Sequence, residues 1–428
     1  MNMFGAIRIW AKSCWRSSDK VASHWIRSTP GRVLAGSSVG GFFAMSTLLI
    51  YPFGVFGAGI ATEKGVDVRD ITRLLGPALL ILILVQPLTG WVVNRWAPRS
   101  VSLAALALLS CSLLLMAAAP VASPWLGVTL ALAIFLASLA SPTVYSAYIA
   151  QTFEGKRGLA MGVAMAFTGL GVAAIPPLSA LIIQYAGWRI AYLALAAATA
   201  LAFVFNVLIL PKPLSRPLPL ATASQLGIGL GPLKMAARRP IFWGMVATFF
   251  LLPITANAVP IFLPLMLQDR HIGPTLAAAS LTVMGLVTIA SRPLFGYLID
   301  RLPVRLALSV MILGPLAGSS ALLLTQRAGA AYLAAIGFGL AVGGEFVALG
   351  YLVARAFGIA YFGIIYGWLA VAVAAGIAAG PFMFGHLSSS GGYDRALEFM
   401  VCTSLLALFV VFFMMRPRYL DATVDRSP

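Results

Sequence analysis

Two ionisable residues stand out because each interrupts a long apolar stretch. Arg292 lies in Ile289-Ala-Ser-Arg292-Pro293-Leu-Phe-Gly296, and Glu345 in Gly343-Gly344-Glu345-Phe346. A guanidinium in apolar surroundings costs several kcal/mol unless it faces a cavity or a partner, and its planar fork suits two-point contact with a carboxylate. Arg292 is therefore either an anion contact or a cation that snorkels to a nearby helix end and latches the structure there. A desolvated carboxyl such as Glu345 holds its proton more tightly, so it could take up and release one; the alternative is a structural partner for a basic residue, Arg292 included. Tyr51, Tyr145, Tyr148, Asn257 and Tyr366 are polar-capable residues in apolar stretches and are candidate ligand contacts. Gln86 has the same standing, and helix–helix hydrogen bonds are the competing use for each.

Other chemistry has no residues to carry it. Cys14, Cys111 and Cys402 have neither CxxC spacing nor a paired framework, and His24, His271 and His386 show no metal-ligand spacing. The Gly-rich stretches 169–171 and 374–380 follow no strand, so they are packing and bending sites rather than nucleotide loops. The expectation is no enzyme, no metal and no cofactor.

The elements that position these residues are membrane helices. The chain of 428 residues is 61% hydrophobic and 10% charged, against about 25% charged in a soluble domain, so its solvent over most of its area is lipid. The formal net charge of +17 would suggest nucleic acid in a soluble protein, but the basic residues fall in short segments between apolar runs, which is a topology signal. Spans are expected at about 33–61, 73–95, 100–119, 124–150, 158–186 and 188–210, then at about 241–268, 274–300, 304–325, 329–354, 360–387 and 393–415. The fold class is thus all-α membrane protein, twelve transmembrane helices in two six-helix bundles. The divisions are a basic tail 1–32, a first bundle 33–210, a Pro-rich basic loop 211–240, a second bundle 241–415 and a tail 416–428.

Most of the 29 Lys and Arg fall on the side that carries both termini; the other side holds Lys64, Arg69, Arg73, Arg189, Arg270, Arg327 and Arg395. Both termini are expected in the cytoplasm. Residues 1–32 lack the apolar core of a cleavable signal. Phe4, Ile7, Trp10, Ala11, Cys14 and Trp15 recur at helical spacing, which fits either a helix lying on the anionic leaflet or a disordered basic tail that fixes orientation.

The halves echo each other. After the second span comes Gly90-Trp-Val-Val-Asn94-Arg95-Trp-Ala-Pro98-Arg99, and after the eighth Gly296-Tyr-Leu-Ile-Asp300-Arg301-Leu-Pro-Val-Arg305. A repeat of this kind implies two bundles around a central site near mid-membrane. The repeated turn resembles the Gly-x-x-x-Asp-Arg-x-x-x-Arg signature of the major facilitator superfamily, where it forms a cytoplasmic charge latch between bundles. The resemblance assigns that role to Asn94, Arg95, Arg99, Asp300, Arg301 and Arg305, with Asn94 standing where the family has Asp.

Further matches resemble the monocarboxylate porters and their bacterial oxalate/formate relatives: Phe53-Gly54-Val55-Phe56, Arg157-Gly158-Leu159-Ala160-x-Gly162, Gly169-x-Gly171 through Pro176-Pro177, Gly187-Trp188-Arg189, and Arg355-Ala-Phe357-Gly358 through Phe362-Gly363. The branch implies that the arginine of the Arg292-Pro293 pair contacts a substrate carboxylate. It does not supply the proton machinery, because Leu49-Ile50-Tyr51-Pro52 stands where animal porters carry a lysine and Thr288 where they carry an aspartate. Tyr51 would take the lysine's neighbourhood and Glu345 the proton.

The expected function is secondary active transport of a small organic anion, monocarboxylate-type or an aromatic-catabolite acid, by proton-coupled uptake across a bacterial inner membrane. The partners are the organic acid, protons and membrane lipid, with no nucleic acid, and the unit is a monomer. The alternative is an exporter or antiporter of a hydrophobic compound or siderophore on the same fold.

Overall fold

Proline and glycine divide the apolar runs into rods. The computed structural model describes residues 28–66, 71, 74–120, 123–153, 155–211, 230–270, 274–325 and 327–415. The amphipathic tail, most of the central loop, the C-terminal tail and the loop cations Arg69 and Arg73 lie outside the described residues.

All regular elements among the described residues are helical: α1 Thr29–Phe42, a π-helical turn Ser46–Ile50, α2 Phe53–Lys64, α3 Leu75–Arg95, α4 Pro98–Ala117, α5 Ser123–Ala137, α6 Pro142–Thr152 and α7 Arg157–Ile209, then α8 Leu230–Ala237, α9 Pro240–Asp269, α10 Pro274–Arg301, α11 Val304–Leu324, α12 Ala328–Phe357 and α13 Phe362–Met414. Two long helices are each a pair of rods. Gly187 (φ 82°) folds α7 back on itself, and Gly392 (φ 79°) does the same to α13; only glycine takes that backbone without strain. Ten stretches are long and apolar enough to cross a membrane. Dividing α7 and adding the shorter apolar helix α3 gives twelve crossings, six on each side of residues 211–229.

The first and fourth spans, expected as single helices, are broken. Ser141 precedes Pro142, whose ring pushes the preceding residue out of the helical region, and Ser141 is extended at φ −121°, ψ 161°. The first span leaves α-helical geometry at Phe43, passes through the π turn and restarts after Pro52. Thr47 Oγ1 lies within hydrogen-bond distance of two carbonyls at the bend, Phe42 O at 2.8 Å and Ala44 O at 2.6 Å, and shares its one proton between them, while Ala44 O also accepts from Thr47 N and Leu48 N. The two breaks meet, since Met45 N–H donates to Ala140 O at 2.9 Å. Irregular backbone at membrane depth is tolerated where it is buried or lines a cavity.

Each half has its own apolar interior. In the first, Phe56 stacks on Tyr192 at 3.8 Å among Leu109, Leu130 and Ile134. In the second, Phe262 stacks on Phe384 at 4.9 Å beside Leu263 and Phe338. A third cluster, with Met161, Met165, Phe295, Leu352 and Tyr366, bridges the halves. The halves touch through two glycine crossings. A Cβ on Gly296 would lie 2.1 Å from Gly158 O, and one on Gly90 would lie 2.2 Å from Gly363 O. The helices α10 and α7, and α3 and α13, are therefore in backbone contact, which only small residues permit.

Candidate functional site: a cavity between the halves

Both crossings lie at the end of the molecule that carries the repeated turn. Asp300, the single acidic residue of α10, accepts hydrogen bonds from Gly158 N (3.0 Å) and Leu159 N (2.9 Å) in the first turn of α7. A carboxylate at a helix N-terminus meets unsatisfied N–H groups and the positive end of the helix dipole. The partner of Asp300 is thus the opposite half's helix end, not the arginines of its own turn. Asn94 sits in the equivalent place, its backbone N 3.0 Å from where a Cβ on Gly363 would be.

The arginines work within their halves. Arg99 donates to Leu210 O and Val207 O at the end of α7 (3.2 and 3.0 Å), and Arg305 donates to Met415 O just past α13 (2.8 Å). Each second arginine of the repeat therefore caps the last span of its own bundle, where free carbonyls attract a cation. Arg95 and Arg301 lie over the rings of Trp91 and Tyr297, at 5.7 and 4.6 Å.

Above the closed end lies a cavity of about 530 Å³. Its walls come from both halves: Met45, Ser46, Ile50 and Tyr51 from the first break, Ser141, Pro142 and Thr143 from the second, Leu80, Ile83 and Gln86 from α3, Met165 and Thr168 from α7, Arg292 from α10, Phe346 from α12, and Tyr366, Val373 and Ile377 from α13. None of the described lining residues comes from the third, sixth, ninth or twelfth span. The walls are mainly aliphatic, and Arg292 is the one charged side chain among them.

Arg292 donates through Nη1 to Met165 O in α7 and so ties the two halves together. It does this beside the α7–α10 crossing, where a Cβ on Gly162 would meet Arg292 O at 2.3 Å. Tyr51 projects into the cavity with 57% of its surface free. Tyr366 is fully buried at the wall, its hydroxyl beside that of Ser146 without closing a hydrogen bond of normal geometry. The oxygens Gln86 Oε1 and Ser141 Oγ are also buried without a hydrogen-bond partner. Glu345 is 2% exposed, with Oε1 unpartnered. It is not a lining residue but lies just behind the wall, one position before Phe346, within electrostatic reach of Arg292, Tyr51 and Tyr366.

The structure thus brings Arg292, Tyr51, Tyr366 and Gln86 together, with Glu345 behind them. The remaining candidates lie elsewhere. Tyr145 is buried against Gly40 of α1, Tyr148 packs with Val33 and Leu210 near the capped end of α7, and Asn257 donates to Pro253 O of its own helix at 3.2 Å. Ser46, Ser141, Thr143 and Thr168 also line the cavity, though none was among the sequence candidates; the Ser-Pro pair at 141–142 is a sequence signal for the break that brings Ser141 and Thr143 there, and nothing comparable marks Ser46 or Thr168. Among the described residues no group of His, Cys, Asp and Glu could hold a metal.

At the opposite end each half carries a second repeated device. Glu63 at the end of α2 accepts from Arg189 (2.6 Å) and Trp188 Nε1 (2.6 Å) beside the Gly187 bend. At the Gly392 bend, Arg270 donates to Asp394 (3.0 Å) and Tyr393 donates to Asp269 (2.7 Å). The Arg189 hydrogen bond, then that from Trp188, hold the Glu63 carboxyl below its ordinary range.

A sequence profile of the Major Facilitator Superfamily matches residues 33–357. The chain belongs to this superfamily. Solved structures agree on the fold. The human organic anion transporter MFSD10 (TETRAN) superposes with a TM-score of 0.69 at 18% identity, over 90% of this chain and all of that one. The proton:xylose symporter XylE, bound to 6-bromo-6-deoxy-D-glucose, gives 0.71 at 18% identity over 92% of this chain and 98% of that one. No curated protein matches. As a member of the superfamily the chain is a multi-pass membrane transporter of a small molecule, and its cavity lies where the two halves of such a transporter meet.

Proposed function

We propose that this transporter carries a small organic anion by proton-coupled uptake, with Arg292 as the anion contact and Glu345 as the proton site. The observation that carries the reading is the cavity wall, which holds one cation and no acid among its described residues. A lone guanidinium in aliphatic surroundings attracts one negative charge strongly because little water screens it. Tyr51 and Tyr366 supply hydroxyls for the same ligand. The aliphatic walls suit a cargo whose body is apolar, consistent with an aromatic-catabolite acid. Glu345, dry and within reach of Arg292, would bind a proton when cargo compensates the arginine and release it when the arginine returns to Met165.

The charge distribution supports an orientation with both termini in the cytoplasm, and the resemblance to the bacterial oxalate/formate porters suggests a bacterial inner membrane as the setting. On that orientation the turn end is cytoplasmic, and the cavity of this state faces outward. The unit of function is one chain. The competing reading, export of a neutral hydrophobic compound, draws on the same aliphatic walls and keeps Arg292 only as the tie to Met165 O between the halves. Uptake into proteoliposomes of labelled lactate, pyruvate, oxalate and benzoate, with and without an inward proton gradient, separates the two. The proposal expects acid accumulation that collapses with the gradient; accumulation of none of the acids would sink it.

A further inference from the structure

Resting on the reading of the cavity as an anion site, we infer that the N-terminus of α6, with the Ser141 hydroxyl, is a second anchor for the cargo's carboxylate, separate from Arg292. The helix is 11 residues long and begins at the break in the fourth span, and Ser141, Pro142 and Thr143 all line the cavity. A helix N-terminus presents N–H groups with no intrahelical partner and the positive end of the helix dipole, an arrangement that receives carboxylates. Broken membrane helices that end at a central cavity serve anionic groups of transported substrates in the same physical way.

The local bonding leaves this end open. An N-cap serine ordinarily turns its oxygen back onto the first-turn N–H groups. Here Ser141 is the N-cap residue, and its side chain makes no capping bond. Ser141 is 2% exposed, and its Oγ is buried with no partner. The rest of the break is satisfied: Ser141 N–H donates to Leu139 O (2.8 Å), Val144 N–H to Ser141 O (3.2 Å), and Met45 N–H to Ala140 O (2.9 Å). Pro142 has no N–H to offer. What remains unspent is the Ser141 hydroxyl and, by its place in the first turn, the Thr143 N–H, both at the cavity wall. Arg292 meanwhile donates to Met165 O in this state, so the α6 end is an uncommitted donor group at the cavity wall.

The test uses the full-length protein in nanodiscs and calorimetric binding of benzoate, pyruvate and oxalate, each against its neutral amide. Ser141→Ala should weaken binding of the preferred acid by roughly tenfold, the loss of one hydrogen bond to a charged group, and leave amide binding unchanged. Its melting temperature without ligand should match the wild type, because the hydroxyl has no partner to lose. Ser141→Thr should restore acid binding. Acid affinity unchanged in Ser141→Ala, or an equal loss for the amides, overturns the inference. If Arg292→Ala still loses the acid while Ser141→Ala does not, the anion reading stands and only the second anchor falls. Wild-type protein that prefers none of the acids over its amide overturns both.

Discussion

Asp300 is the residue whose removal should most visibly change the conformational balance. Its carboxylate takes two backbone N–H groups across the divide between halves, at 3.0 and 2.9 Å. Hydrogen bonds to a charged group contribute about 1.5–3 kcal/mol each, and partial access of water at this end reduces the pair to about 2–4 kcal/mol in total. At about 1.4 kcal/mol per factor of ten, Asp300→Ala should shift the equilibrium away from the closed turn end by roughly 30- to 1,000-fold. Asp300→Asn keeps a carbonyl acceptor but loses the charge, so it should fall between the wild type and the alanine variant. The assay is the distance between spin labels on Ala97 and Ala360, exposed positions at the turn end of the two halves, in a background without Cys14, Cys111 and Cys402. A longer-distance population should grow in the order wild type, Asn, Ala. The reasoning is refuted if Asp300→Ala leaves the distribution unchanged while Arg301→Ala opens it, since the closing contact would then be a charge pair within the turn.

Gly296→Ala should also open the turn end, because its Cβ would meet Gly158 O at 2.1 Å; Gly285→Ala in the same helix, with open space at its Cβ, is the control in the same label experiment. Arg305→Ala should lower stability by about 0.5–1.5 kcal/mol through the lost cap on Met415 O, read as an earlier thermal unfolding with cavity ligand binding intact. Glu345→Gln should abolish gradient-driven accumulation in proteoliposomes but leave counterflow exchange, and undiminished uphill uptake would remove the proton role. Glu63, held below its ordinary range by Arg189, contributes stability above the unfolded carboxylate value of about 4.3 that is lost as pH falls through its folded value. The melting difference between wild type and Glu63→Gln should therefore shrink on acidification from pH 7 to 4.

The membrane helices were legible in the sequence because lipid imposes length and apolarity on each one. The repeated turn was legible as a turn, but its bonding was not. Asp300 reads as the partner of a neighbouring arginine, whereas the fold offers it a helix N-terminus from the other half, 142 residues away in the chain. Arg99 and Arg305 likewise find carbonyls that only the tertiary arrangement supplies. The broken spans were missed because hydropathy is blind to backbone direction; Pro52 and Pro142 carried the signal. Of the aromatic candidates, Tyr51 and Tyr366 reach the cavity while Tyr145 and Tyr148 do not. All sit in apolar runs, and which face of a helix meets the cavity depends on neighbours that composition does not name.

The central claim is that Arg292 recognises the cargo's negative charge. Its most direct test is uptake of labelled benzoate, pyruvate and oxalate by proteoliposomes containing wild type, Arg292→Lys or Arg292→Ala, with the label experiment confirming that the turn end still closes. Acid uptake should fall in both variants, because lysine keeps the charge but loses the fork. Full acid uptake by Arg292→Ala would contradict the claim.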